Sequence, residues 1–194
     1  AHLSTRGSLE AVRDAKKIGI RVTCEVTPHH LFLTDEAVKE YDTQAKMAPP
    51  LRSEEDRAAL IKGLADGTID AIATDHAPHH VDEKLVEFDQ AAFGIVGLET
   101  AVPLCLDRLV NGKVIGISRL IELLSTNPAR ILGLNKGRLT EGADADLTLL
   151  DLDRSHTVNP DNFRSKGRNT PFGGWELTGQ AVATIVAGNV VWRV

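Results

Sequence analysis

Hydrophobic positions in the first half of this 194-residue chain follow two alternating rhythms. Leu9, Val12, Ala15 and Ile18 recur at helical spacing, with Ser8 available as an N-cap and Gly19 as a stop. A β-branched run over 20–26 follows and reads as a strand. A polar connection then leads through KMAPPLR (46–52), where two prolines exclude regular structure. Ser53 and Asp56 resemble a capping box with Asp in the Glu place, opening a helix whose apolar positions are Ala58, Leu60, Ile61 and Leu64. Gly67 closes it. Ile69, Ala71, Ile72 and Ala73 then make a short apolar run of the kind buried on both faces in parallel sheets. The order α-β-α-β predicts a parallel α/β unit.

Further helices are predicted over 99–110, 118–124 and 128–132. From Gly137 the texture changes to short β-rich runs parted by Gly and Asn, at 147–150, 181–186 and 190–194, as in a small antiparallel sheet or sandwich. The expected division lies near Lys136, giving 1–136 and 137–194. Two strands cannot close an α/β barrel, which takes eight. The pattern alone therefore leaves two options, a small open sheet or the last part of a larger barrel.

Composition narrows the function class. With 42% hydrophobic and 25% charged residues the chain is of ordinary globular type, and a net charge of −5 without a Lys/Arg cluster argues against nucleic-acid binding. No apolar run reaches the length of a membrane span. Cys24 and Cys105 stand isolated in apolar surroundings, the pattern of a reduced, cytoplasmic protein.

The chemistry concentrates in TDHAPHH (74–80), where Asp75 follows an apolar strand directly. The C-terminal ends of strands are where α/β barrels place reacting groups. A carboxylate there, with His76 and His79 nearby, can ligate a metal or move a proton. Each residue also has an ordinary reading: Asp75 as a turn or cap, Gly94 as a plain turn, His2 as a frayed terminal residue. A site-like His2 with no strand before it leads to the expectation that upstream sequence completes the fold.

HLST (2–5), VTCEVTPHHLFLTDE (22–36), KMAPPLR (46–52), DGTIDAIATDHAPH (66–79) and FGIVGLET (93–100) together resemble the bacterial class I dihydroorotases of the amidohydrolase superfamily. GRLTEGADADLTLLD (137–151) and the run 165–191 extend the resemblance over essentially the whole chain. The resemblance implies the C-terminal part of a (β/α)₈ TIM barrel of the metallo-dependent hydrolase type, plus part of a β-sandwich. It implies a centre of two zinc ions and reversible cyclisation of N-carbamoyl-L-aspartate to dihydroorotate in pyrimidine biosynthesis. In that scheme a hydroxide bridging the metals attacks the ring amide, and a carboxylate on the eighth strand shuttles the proton.

Carried over by position, Asp75 matches that carboxylate, as metal ligand and proton shuttle, and His2 matches a metal-ligating histidine. His79 matches a substrate-contacting histidine, and Phe93 and Gly94 a dipeptide that offers backbone groups to substrate. His29 and His30 are expected to be structural or supporting, His76 and His80 to orient the site, and His156 to be a surface residue. Trp175, Trp192 and Phe172 are expected to pack the sandwich.

Two departures stand out. Ala48 replaces the family's usual Asn in KMAPPLR, and the family's HxH pair, bridging carboxylate and fifth-strand histidine have no counterpart in these residues. The isolated chain is therefore expected to be inactive, with Ile20, Val22, Ile69 and Ile72 facing water. Two readings compete with the enzyme: a non-catalytic scaffold for aspartate carbamoyltransferase, and a cyclic amidase of the hydantoinase or allantoinase type. A homodimer is a further expectation of the resemblance.

Overall fold

A computed structural model describes residues 1–194. Helix α1 (Arg6–Lys17) and helix α3 (Glu54–Ala65) alternate with strands β1 (Glu25–Val26) and β2 (Ala71–Ile72); a short helix α2 (Pro28–Phe32) follows β1 directly. The strands pair in parallel, Glu25 with Ala71 and Val26 with Ile72. Hydrogen bonds from Asp70 N to Cys24 O and from Ala73 N to Val26 O flank this pair. Leu3 N donates to Glu25 O, a carbonyl on the opposite edge of β1, because successive carbonyls of a strand point to opposite sides. Three segments thus lie side by side, with His2 on the first and Asp75 just beyond the third.

The start of α1 differs from expectation. Thr5, not Ser8, is the cap: its backbone is extended and its Oγ1 accepts from Ser8 N at 3.1 Å, leaving Ser8 inside the first turn. Ser53 does cap α3, accepting from Asp56 N, and Glu54, Glu55 and Asp56 place negative charge at the positive end of that helix. The reciprocal arm of a capping box is absent, because Asp56 Oδ1 instead accepts from Arg6 N at 2.8 Å and so pins the start of α1 to α3.

The regular strands are shorter than the apolar runs, since β1 spans only Glu25–Val26 and β2 only Ala71–Ile72. Ile20 is exposed, as expected, whereas Val22 is half-buried rather than facing water. Ile69 and Ile72 are buried, contrary to expectation, because α1, α3 and the later helices close over them. Their cluster includes Leu9, Val26, Leu60, Leu64, Leu106 and Leu123.

Beyond β2 come α4 (Val81–Lys84), α5 (Leu98–Cys105), α6 (Ile117–Ile121) and α7 (Asn127–Ile131). Wider π-type turns extend α5 to Asn111 and join α6 to α7. Strands β3 (Leu147–Thr157), β4 (Glu176–Val186) and β5 (Asn189–Arg193) form an antiparallel sheet. Ala187 and Gly188, at φ 49° and 78°, make the β4–β5 turn, a conformation that matches strand twist. The segment between β3 and β4 leaves the sheet and returns to the α/β portion. Phe172 and Trp175 meet edge to face at 5.1 Å, and Phe172 is buried with Leu33, Met47, Ile95, Leu104, Val158 and Leu177. The expected sandwich packing of Phe172 and Trp175 is therefore largely packing between the sheet segment and the α/β portion. Trp192 lies half-buried on β5, and His156 is half-buried on β3 rather than fully at the surface, with burial lowering its pKa.

Two buried lysines fasten the loop between β2 and α5. Lys46 Nζ donates to the carbonyls of Phe88, Asp89 and Ala91 and lies 4.5 Å from the Phe93 ring centroid. Lys84, 1% exposed, donates to Thr43 O and Ala92 O. Burial, with Lys46 nearby, pushes its pKa from the usual 10.5 down to about 8. A neutral amine still carries the two N–H groups these bonds require.

Two predictions follow from this packing. A Cβ at Gly63 would sit 2.6 Å from Leu9 Cδ1. Gly63→Ala should therefore cost about 1–3 kcal/mol of stability despite its better helix propensity, and Leu9→Val should recover part of that loss in a double-mutant cycle. A fully additive cycle would contradict the contact. For Lys84, the unfolded chain holds a proton between pH 8 and 10.5 that the folded chain has released, so stability rises with pH across that window. The full-length protein should gain up to ~3 kcal/mol relative to its Lys84→Met variant between those limits, read from denaturant midpoints. A pH-independent difference would count against this.

Candidate active site

The ends of the three adjacent segments bring two groups of side chains together. In the first, His2 Nε2 lies 3.4 Å from Asp75 Oδ1. Both residues have left-handed backbones, φ 52° and 47°, a conformation uncommon outside glycine and often found where surrounding structure holds a functional residue in place. At Asp75 this turn stops the strand and swings the carboxylate toward His2.

Glu25, on β1 between them, completes the group. Its Oε1 lies 2.8 Å from His2 Nδ1 and also accepts a hydrogen bond from His2 N. The Glu25 carboxylate lies against the Nδ1 edge of the ring, which has no hydrogen-bond partner, while Nε2, the nitrogen facing Asp75, is the one a metal or a proton can reach. Sequence reasoning missed Glu25. The available signal was a lone acidic residue inside the apolar strand run VTCEVT, where burying a charge is costly unless it has a partner.

In the second group, His79 Nε2 lies 2.8 Å from Phe93 O, and its Nδ1 lies 3.1 Å from Glu83 Oε2. Gly94 follows at φ +142°, and a Cβ there would stand 2.6 Å from Ala77 Cβ and 3.0 Å from His79 Nε2. Only glycine lets the 93–94 backbone come this close to the imidazole. The Phe93 side chain is exposed. The structure thus joins His2 with Asp75, and His79 with Phe93 and Gly94.

The remaining histidines have supporting positions. Thr27 caps α2, and its Oγ1 lies 2.7 Å from His30 Nδ1. His30 Nε2 lies 2.9 Å from Pro49 O, a group that can only accept, so Nε2 carries the hydrogen and the imidazole anchors the AlaProPro segment. Burial lowers the His30 pKa, and burial with His30 and His2 nearby lowers that of His29 strongly. His29 Nε2 is buried without a partner. His76 Nδ1 accepts from Gly97 N and Leu98 N at the start of α5, and His80 caps α4. Ala48 is exposed on the loop that His30 holds.

As a donor set, one imidazole and one carboxylate suit zinc chemically but fall short of the three or four protein ligands such an ion takes; Glu25 lies at the other ring nitrogen of His2, and no group of three His, Cys, Asp or Glu able to hold a metal ion is formed. No helix is long and apolar enough to cross a membrane.

Comparison with known proteins agrees with this arrangement. Curated relatives named dihydroorotase include those of Desulforapulum autotrophicum, 55% identical over 193 residues, Acetivibrio thermocellus, 53% identical over 193, and Bacillus cereus strain G9842, 52% identical over 192. These alignments take in 99–100% of this chain and 45% of each relative, so the chain spans about half the length of the curated proteins it matches. Among solved structures, L-hydantoinase (dihydropyrimidinase) from Arthrobacter aurescens superposes with a TM-score of 0.94 at 36% identity, covering 99% of this chain and 44% of that one. D-hydantoinase (dihydropyrimidinase) from Thermus sp. gives 0.90 at 30% identity, with the same two coverages. The α/β architecture is thus that of the metallo-dependent hydrolases. Residues 2–191 match the model of the amidohydrolase family, and the chain belongs to that family.

Proposed function

We propose that this chain is the C-terminal part of a dihydroorotase, contributing the last strands of a (β/α)₈ barrel and, from about residue 137, part of a β-sandwich. The full-length protein would interconvert N-carbamoyl-L-aspartate and dihydroorotate in pyrimidine biosynthesis. The observation that carries this reading is the His2–Glu25–Asp75 arrangement at adjacent strand ends, in a chain 52–55% identical to curated dihydroorotases. Family membership and these relatives point to a metal cofactor; we take it to be zinc, two ions per complete site, with His2 and Asp75 as this chain's ligands. When bound, such ions polarise the amide carbonyl and make water a stronger nucleophile at neutral pH.

The chain's own residues do the rest. Glu25 accepts the His2 backbone N–H and lies against its ring, so that Nε2 faces the reaction centre. In the hydrolytic direction, the Asp75 carboxylate takes a proton from the attacking water as a C–O bond forms at the ring amide carbon. It then passes that proton to the ring nitrogen as the C–N bond breaks, acting as general base and then general acid. In cyclisation the same proton moves are reversed. His79 and the Phe93–Gly94 backbone bind substrate beside this centre, and their close packing sets its orientation.

The solved hydantoinases support a second reading, a related cyclic amidase, which substrate choice separates from the first. Placement in the reduced cytoplasm rests on the two free, buried cysteines. Homodimerisation and association with aspartate carbamoyltransferase rest on the family resemblance. The isolated 194-residue chain, with two of the needed ligands, is proposed to be inactive.

The full-length protein loaded with zinc should hydrolyse dihydroorotate in preference to hydantoin and allantoin. In it, Asp75→Ala should lower kcat by at least ~100-fold, the lower end for a lost acid–base group, while His79→Ala should act mainly on KM. Retained turnover in the Asp75 variant would refute the shuttle, and preference for hydantoin would favour the second reading.

A further inference from the structure

We propose that Asn169, from the segment between β3 and β4, is a positioning residue for substrate. Its buried side-chain amide ties the His79 backbone to Gly94 and so fixes the gap between the His79 imidazole and the Phe93–Gly94 main chain. This rests on the dihydroorotase reading and deepens it, because it adds to the substrate pocket a residue 90 positions away in sequence from His79.

The geometry is specific. Asn169 Nδ2 donates to Ala77 O at 2.8 Å and to Gly94 O at 3.0 Å, while its Oδ1 accepts from His79 N at 2.9 Å. Its main-chain oxygen also accepts from Val96 N at 2.9 Å. Both amide hydrogens are used, and the side chain is 4% exposed, so no water can replace them cheaply. Ala77 N donates to Ile95 O, and the His79 imidazole lies 2.8 Å from Phe93 O, so the two pocket segments are already close. Neither contact holds the His79 main chain. Only Asn169 grips His79 N and Gly94 O together.

The same segment makes a second contact beside Asp75. His76 Nδ1 accepts two amide hydrogen bonds, which leaves the ring hydrogen on Nε2, 3.4 Å from Ser165 Oγ. Ser165 Oγ and N donate in turn to Glu99 Oε1 at 2.6 and 2.9 Å. A Cβ on Gly167 would come within 2.8 Å of both Pro78 and Asn169 Oδ1, so the chain approaches the TDHAPHH turn as closely as its backbone allows. Residues 165–169 therefore lie against the turn that carries Asp75 and His79, and Asn169 is where the contact becomes directional.

The test uses the full-length, metal-loaded protein with dihydroorotate. Asn169→Asp keeps the acceptor for His79 N but removes both donations. It should raise KM at least 10-fold with kcat within about 3-fold, at wild-type metal content, because misplacing substrate groups weakens binding more than the proton transfer at Asp75. Asn169→Ser, smaller and uncharged, carries the same test if the Asp variant does not fold. An unchanged KM, or a loss confined to kcat, would overturn the inference alone. Failure of both variants to fold would also overturn it, by making the contact a folding requirement. A wild-type protein inactive on dihydroorotate would remove the functional reading and this inference with it.

Discussion

Everything at the candidate site depends on one pairing, the parallel contact of Glu25–Val26 with Ala71–Ile72. It is only two residues long, yet it sets which strand ends are neighbours. Leu3 joins on the other edge through Glu25 O, so His2, Glu25 and Asp75 emerge at one end of the sheet. A slip of one residue would turn Glu25 to the opposite face and leave the His2 backbone N–H without its carboxylate. The helices hold this register. Lys16 Nζ reaches Asp70 at 2.7 Å, Asp70 Oδ2 accepts from Cys24 N, and Asn127 Nδ2 donates to Asp70 O. Asp70 is the point where α1, β1 and α7 meet β2.

The site combines a stiff frame with locally unfavourable conformations. Left-handed backbones at His2 and Asp75, a carboxylate drawn into a strand and a partnerless nitrogen on His29 all cost stability. They sit beside the larger buried cluster, which can offset those costs. The loop bearing Phe93 is organised differently. Lys46 and Lys84 gather five main-chain carbonyls that would otherwise be left without partners. Their N–H groups act as fasteners more than as charges.

Much of this was legible in the sequence. The helical period, Gly19, Gly67 and the Ser53 cap located α1 and α3, and the apolar run before Asp75 located β2. The motif resemblance singled out His2, Asp75, His79, Phe93 and Gly94, and in the fold His2 lies with Asp75, and His79 with Phe93 and Gly94. The misses have physical causes. Thr5 outcompeted Ser8 because the chain was already extended there, which period alone does not reveal. Strand length was overestimated because hydrophobicity reports burial, whereas a ladder also needs a neighbour. Glu25 and Asn169 were invisible because their roles come from contacts 23 and 90 residues away in sequence, and no local pattern encodes such distances.

The second hydrophobic cluster has a consequence for how such chains can be recombined. Leu33, Met47, Ile95 and Leu104 come from before residue 137, while Val158, Phe172 and Leu177 come from after it, and all lie in one core. The two halves are thus not interchangeable modules. A chimera joined near Lys136 would unite interiors shaped for different partners, so a workable crossover must transplant 158–177 together with the surfaces it fills.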